Sequence, residues 1–169
     1  MANKKEIPGT KALIQGFSRV QIKKNGEVVG DSGWNGPNMI VNGGVQQFIM
    51  NLIGGTTGSL QVGAVAIGSG GTTASDATIM GGEYGGTALR KAVTVATTQR
   101  AASNGTATLQ FSASWASGDN SGNSNISNVG LFNVSTAQGS LFAANTYASS
   151  QWSNNQDVYA SYQIRVSFS

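Results

Sequence analysis

The stretch Val158-Tyr159-Ala160-Ser161-Tyr162-Gln163-Ile164-Arg165-Val166-Ser167-Phe168 places an apolar or small residue at every second position and a polar or amphipathic one between. Successive side chains of a strand point to opposite faces, so this pattern predicts a β-strand with one face on a core and the other in water. Thr106-Ala107-Thr108-Leu109-Gln110-Phe111-Ser112-Ala113-Ser114-Trp115 repeats it, with Ala107, Leu109, Phe111, Ala113 and Trp115 on the buried side. The segment through Leu89, Val93 and Val95 alternates less cleanly, and Asn104-Gly105 joins it to the second strand as a hairpin. A further hairpin is expected at Asn25-Gly26, between Val20-Gln21-Ile22 and Val28-Val29, because Asn-Gly tolerates the positive φ of a type I′ turn.

One helix is expected, over about residues 43–53. Val45, Phe48, Ile49 and Leu52 fall at i, i+3, i+4 and i+7. Asn42 can cap the start, and Gly54-Gly55 can end it. The fold class that follows is mainly β: a two-layer antiparallel β-sandwich with one short α-helix. An extended N-terminal arm over residues 1–18 precedes a single domain over 19–169.

Composition supports this. Charged residues are 10% of the 169, against about 25% in an ordinary soluble domain, and 24 glycines with many Ser, Thr and Asn take their place. Such a mixture suits short strands, tight turns and uncharged polar surfaces. The charge is also unevenly spread. Lys4, Lys5, Lys11, Arg19, Lys23 and Lys24 stand against Glu6 alone in residues 1–24, whereas the rest of the chain has more acids than bases. No aromatic ladder interleaves with these cations, so a partner-binding arm is a better reading than a nucleic-acid surface. No apolar run reaches the roughly 18 residues of a spanning helix. The first eight residues carry lysines with no apolar segment behind them and do not read as a secretory signal.

The residues exclude much chemistry. With no His and no Cys, imidazole acid–base catalysis, thiolate nucleophiles and the common soft metal sites are out of reach. The seven acids are scattered among turns, and Asp76 with Glu83 is the nearest late pair. Gly68-Ser69-Gly70-Gly71-Thr72-Thr73 lacks the Gly-Lys-Ser/Thr ending of a phosphate loop, and glycines adopting positive φ in a turn explain it. Asp119-Asn120-Ser121-Gly122-Asn123-Ser124-Asn125 has one carboxylate and no bidentate Glu, too little for calcium. No enzyme activity, cofactor or metal is therefore expected. Trp115 belongs to a core face by alternation, while Trp34 and Trp152 lie among turn residues and are candidates for an interface. With Lys4, Lys5 and Lys11 of the arm they make up the candidate partner-binding set.

The order of several short motifs resembles that of tailed-bacteriophage virion structural proteins. Asn25-Gly26-Glu27-Val28-Val29 and Asn38-Met39-Ile40-Val41-Asn42-Gly43-Gly44 resemble their opening segments. Val65-Ala66-Ile67-Gly68-Ser69-Gly70 with Thr72 to Asp76 is similar to an "IGxG…TxxxD" element. Ile126-Ser127-Asn128-Val129-Gly130-Leu131-Phe132, with Gly139-Ser140-Leu141-Phe142-Ala143 behind it, is similar to an "IxExGLF…GxLxA" signature, with Asn128 where that signature has Glu. The resemblance covers about residues 20–169. It implies a non-catalytic virion protein, foremost a capsid decoration (cement) protein on the outside of the head. Its implied partners are other virion proteins, the major capsid protein among them, and copies of itself, with a trimer favoured. It implies location in the virion, assembled in the host cytoplasm, and contact with neither nucleic acid nor membrane. The alternatives are a tail or fibre adaptor and, in another class, a carbohydrate-binding receptor-recognition module using Trp34 and Trp152.

Overall fold

A computed structural model describes residues 12–54, 60–71, 73–85, 90–101, 106–120, 124–136 and 138–168. Ten strands form two antiparallel sheets. In chain order they are β1 (Ala12–Lys24), β2 (Glu27–Asp31), β3 (Met39–Ile40), β4 (Ala64–Gly68), β5 (Lys91–Ala92), β6 (Thr94–Ala101), β7 (Thr106–Trp115), β8 (Ser124–Phe132), β9 (Leu141–Trp152) and β10 (Asp157–Phe168). The first sheet runs β2-β1-β10-β7-β6 and the second β3-β9-β8-β4-β5. A mainly β sandwich with a single short helix is what the alternation predicts.

Strand β10 is the centre of the first sheet, pairing with β1 on one side and β7 on the other. Val158 stands opposite Ile22 and Trp115, Ala160 opposite Val20 and Ala113, and Tyr162 opposite Ser18 and Phe111. These rows meet Val65, Ile67, Ile126, Val129, Leu131 and Trp152 of the second sheet in one apolar core. The Asn25-Gly26 hairpin is present, with both residues at positive φ (52° and 86°) as a type I′ turn requires. The Asn104-Gly105 turn lies outside the described residues, but β6 and β7 on either side of it pair antiparallel.

The boundary of the arm moves. Residues 12–18, assigned above to the arm, are the first half of β1 and pair with β10 from Ala12↔Phe168 onward. The alternation is masked there because two inward positions carry Gly16 and Ser18. Gly16 leaves room for a side chain: a Cβ there would sit 1.8 Å from Oδ1 of Asn38, whose amide fills that space. Residues 1–11, with Lys4, Lys5 and Lys11, lie outside the described residues.

Helix α1 (Gly44–Met50, continued by Asn51–Ile53) forms where expected but with a wider coil. The amide of Asn51 donates to Gln46 O, five residues back, and Asn42 makes no side-chain cap. Each residue of such a coil turns through a smaller angle than in an α-helix. The predicted stripe therefore breaks: Phe48 is buried and Ile49 half-buried, but Val45 is 42% exposed. The side chain of Leu52 is outside the description.

The second sheet is covered on both faces. All five residues of β4 are buried, which accounts for its unbroken apolar run. On its back face Ala64, Ala66, Phe132 and Ala144 pack with Val41 and Met80, a smaller core roofed by the segment through 73–85. Gly68 and Gly70 owe their place to this roof rather than to positive φ, correcting the expectation above, whereas nothing in the packing calls for glycine at 71. A Cβ on Gly70 would lie 2.0 Å from Gly81 O, and one on Gly68 2.5 Å from Gly82 O. Neither Gly68, Gly70 nor Gly71 has positive φ.

Tyr162 is fully buried and its hydroxyl has no hydrogen-bond partner. An unsatisfied buried hydroxyl costs about 1–3 kcal/mol. Tyr162→Phe is therefore expected to stabilise the fold by about 1 kcal/mol, read from urea unfolding. Burial also pushes the phenols of Tyr162 and Tyr147 well above their usual value. Above about pH 10 the unfolded chain releases these protons while the folded one keeps them. Stability is then lost as pH rises, by about 1.4 kcal/mol per pH unit for each buried phenol. Tyr162→Phe should flatten that alkaline slope, and an unchanged slope would contradict the burial of Tyr162.

Candidate protein–protein interface

Burial along the inner face of the first sheet fades toward one end. On β7 it falls from Trp115 (0% exposed) and Phe111 (6%) to Leu109 (42%), with Ala107 exposed. On β10 Val158 is fully buried, Ile164 nearly so, and Val166 only half. On β1 Val20 and Ile22 are buried, whereas Ile14 is half-buried. The register aligns these fading positions. Ile14 pairs with Val166, which faces Ala107, and Gly16 pairs with Ile164, which faces Leu109. The sandwich is thus closed at the Trp115 and Trp152 end and open at the other.

Helix α1 stands at the open end, its Phe48 ring against Phe142 of β9 at 5.1 Å between centroids. Between helix and sheet lies a cleft of about 420 Å³, whose walls include Ile14, Phe48, Ile53, Val95, Leu109 and Val166. Among the described residues Gln61 is the one polar side chain in its lining. Ile53 is 76% exposed on its lip. An exposed apolar surface of this kind is a candidate interaction site. The sequence hid it because Leu109 and Ile164 continue a faultless alternation, which reports the face and not whether that face is covered.

The predicted interface residues divide. Trp34 is on the surface, 45% exposed, in the segment between β2 and β3. Trp152 is not available to a partner and that expectation is corrected. It is fully buried at the closed end, its ring 5.3 Å from Tyr84 and its Nε1–H donating to Gln156 O at 2.7 Å. The Ser153-Asn154-Asn155-Gln156 turn that follows Trp152 looks solvated in sequence, yet it folds back as the acceptor that lets an indole be buried. Trp34 and Trp152 therefore form no common site.

Three acids are engaged in ion pairs. Glu83 receives Arg90 at 2.6 and 3.0 Å, Asp119 receives Lys91 at 2.9 Å, and Asp31 pairs with Arg19. The Arg19 guanidinium, helped by the Gly33 amide and Gln21, holds the Asp31 carboxyl well below the usual carboxylate range. Asp119 also accepts the Ala116 amide, so the turn suggestive of calcium uses its carboxylate internally; residues 121–123 of it lie outside the description. Among the described residues no three acidic side chains gather where a metal could be held. Asn128, fully buried on β8, donates to Gly81 O at 2.8 Å, and its Oδ1 has no partner. It ties β8 to the roof of the back face. No helix among the described residues is long and apolar enough to cross a membrane. Comparison of the chain with family models, with curated proteins and with solved structures gives no match to any of them.

Proposed function

We propose that this chain is a non-catalytic structural protein of a tailed-bacteriophage virion, a capsid decoration protein on the outside of the head that works by protein–protein contact. The observation that carries the reading is the apolar cleft at the open end of the sandwich. A lining with a single polar side chain offers no groups to bind or transform a polar substrate, but it suits an apolar element of another subunit. A second copy of this chain carries such an element on the same end, the exposed Ile53 and Met50 of α1. An uncharged lining also spares identical copies any like-charge cost. Closed symmetric association would cover the cleft of every subunit, and the resemblance to virion proteins favours a trimer. The motifs over residues 20–169 and the absence of His and Cys support the same role.

Two substitutions test it. Leu109→Asp and Ile53→Asp put charge into the cleft at exposed positions, where folding should cost little. Sedimentation of the wild type should give an oligomer, and each variant a monomer with a melting temperature within a few degrees. A wild-type monomer at high concentration, or variants that still assemble, would sink the subunit role of the cleft. Gold-labelled antibody on intact particles tests the location: many grains over the head support decoration, and grains confined to the tail would overturn it.

A further inference from the structure

The outer face of the first sheet carries a second feature, independent of the cleft. Phe17 on β1 stands directly opposite Gln163 on β10, and Gln15 opposite Arg165. The Arg165 guanidinium leans back over the Phe17 ring, 4.8 Å from its centroid. Gln163 donates its amide to Gln110 Oε1 at 3.0 Å, which fixes its orientation. Trp34 closes the fourth side. Together with Gly36 these residues line a hollow of about 350 Å³.

The hollow is held rigidly. The segment from Ser32 to Asn38 is laid along β1 by Ser18 and Asn35, which exchange backbone hydrogen bonds at 2.8 Å, and by Ser32 to Val20 O and Asn38 to Gly16 O. Asn145 of the opposite sheet donates to Asn35 O and Ser18 Oγ, tying the segment to the core. Gly36 packs so closely on Phe17 that a Cβ would lie 2.5 Å from the ring. Trp34 is exposed on this fixed segment, so it pays little ordering entropy on binding. Arg165 has no carboxylate in ion-pair range among the described residues, whereas Arg19, Arg90 and Lys91 each have one.

We propose that Trp34, Phe17, Gln163 and Arg165 form a binding site for a saccharide bearing a carboxylate. The C–H face of a pyranose ring stacks on the indole, a large amphipathic surface. Its hydroxyls donate to the Gln163 carbonyl oxygen, and its carboxylate takes two parallel hydrogen bonds from the guanidinium. The surroundings disfavour a protein partner. Apart from Phe17, the side chains across the strands from Gln163 and Arg165 are Gln15, Gln110 and Thr108, polar groups that do not supply the dry apolar ring around a protein hot spot. They disfavour a nucleic acid too, since a backbone-tracking groove needs several free cations and Arg19 is paired with Asp31.

The test is an array of hexuronate- and sialate-bearing oligosaccharides with neutral counterparts, probed with the full-length protein. The acidic glycan bound is then titrated, alongside its methyl ester, by tryptophan fluorescence. Binding to acidic glycans should weaken at least tenfold in Trp34→Ala and in Arg165→Gln, while each variant melts within a few degrees of the wild type. The methyl ester should bind the wild type weakly and be indifferent to Arg165→Gln. No acidic glycan bound, binding confined to neutral glycans, or affinity unchanged in both variants would each overturn the proposal.

Discussion

Val158→Asp is expected to leave no folded protein at 25 °C, whereas Tyr159→Ser, one residue on, should change stability by well under 1 kcal/mol. Val158 is fully buried between Ile22 and Trp115, its neighbours on either side in the sheet. No cation faces that position among its packed neighbours, which are apolar. A carboxyl there must be buried neutral or drag water into the closed end of the sandwich, at a cost of several kcal/mol in either case. A domain of this size has about 5–15 kcal/mol in total. Tyr159 points outward, 39% exposed, with only the Lys23 ammonium over its ring. Circular dichroism and a one-dimensional proton spectrum of the two variants decide the matter. Equal damage at both positions would mean that β10 is displaced by one residue, since a slip of one exchanges the two faces. The same substitution at Ile164 should be milder, because that residue borders the open cleft, where a carboxylate reaches water.

That contrast marks how far sequence carries. Alternation in residues 106–115 and 158–168 is a local property of the chain, and it fixes which side of each strand faces inward. Whether something lies on that side is a property of the second sheet and of α1. Leu109 and Trp115 sit on the same face with the same period, yet one is exposed and the other sealed. The same limit applies to the hairpins and the glycines. The φ of Asn25 and Gly26 is readable because a two-residue turn has few solutions. The crowding at Gly16, Gly68 and Gly70 arises from segments 11–22 residues away that press against them, and nothing local announces it. Of the candidate site, Trp34 could be placed on the surface from its turn-rich neighbours. Its companions Phe17, Gln163 and Arg165 could not, because only the pairing of β1 with β10 brings them together.

The second large effect is expected at Arg90→Met, which should cost about 3–5 kcal/mol by leaving a nearly buried Glu83 without its cation. The Arg90 side chain is 2% exposed and that of Glu83 12%. Besides gripping both Glu83 oxygens, the guanidinium donates to Thr136 O at 2.7 Å and lies 3.6 Å over the Phe132 ring. One side chain thus joins the roof segment, the turn after β8 and the back face of the second sheet. The roof has other ties, the backbone bonds from Tyr84 to Ile67 O, from Ser69 to Gly82 O and from Asn42 to Ser75 O and the Asn128 amide to Gly81 O, but these are bonds between uncharged groups. With Arg90 gone, the roof should lift from Met80 and Phe132, and limited proteolysis should cut within residues 69–85 before the strands unfold. Glu83→Gln combined with Arg90→Met should recover much of the loss, because the destabilisation comes from an unpaired charge rather than from a missing attraction. The cost should also persist in molar salt, since ions do not reach a pair this deep. A single variant that melts within a degree or two of the wild type and resists the protease equally would show that the roof is held by these uncharged bonds without Arg90.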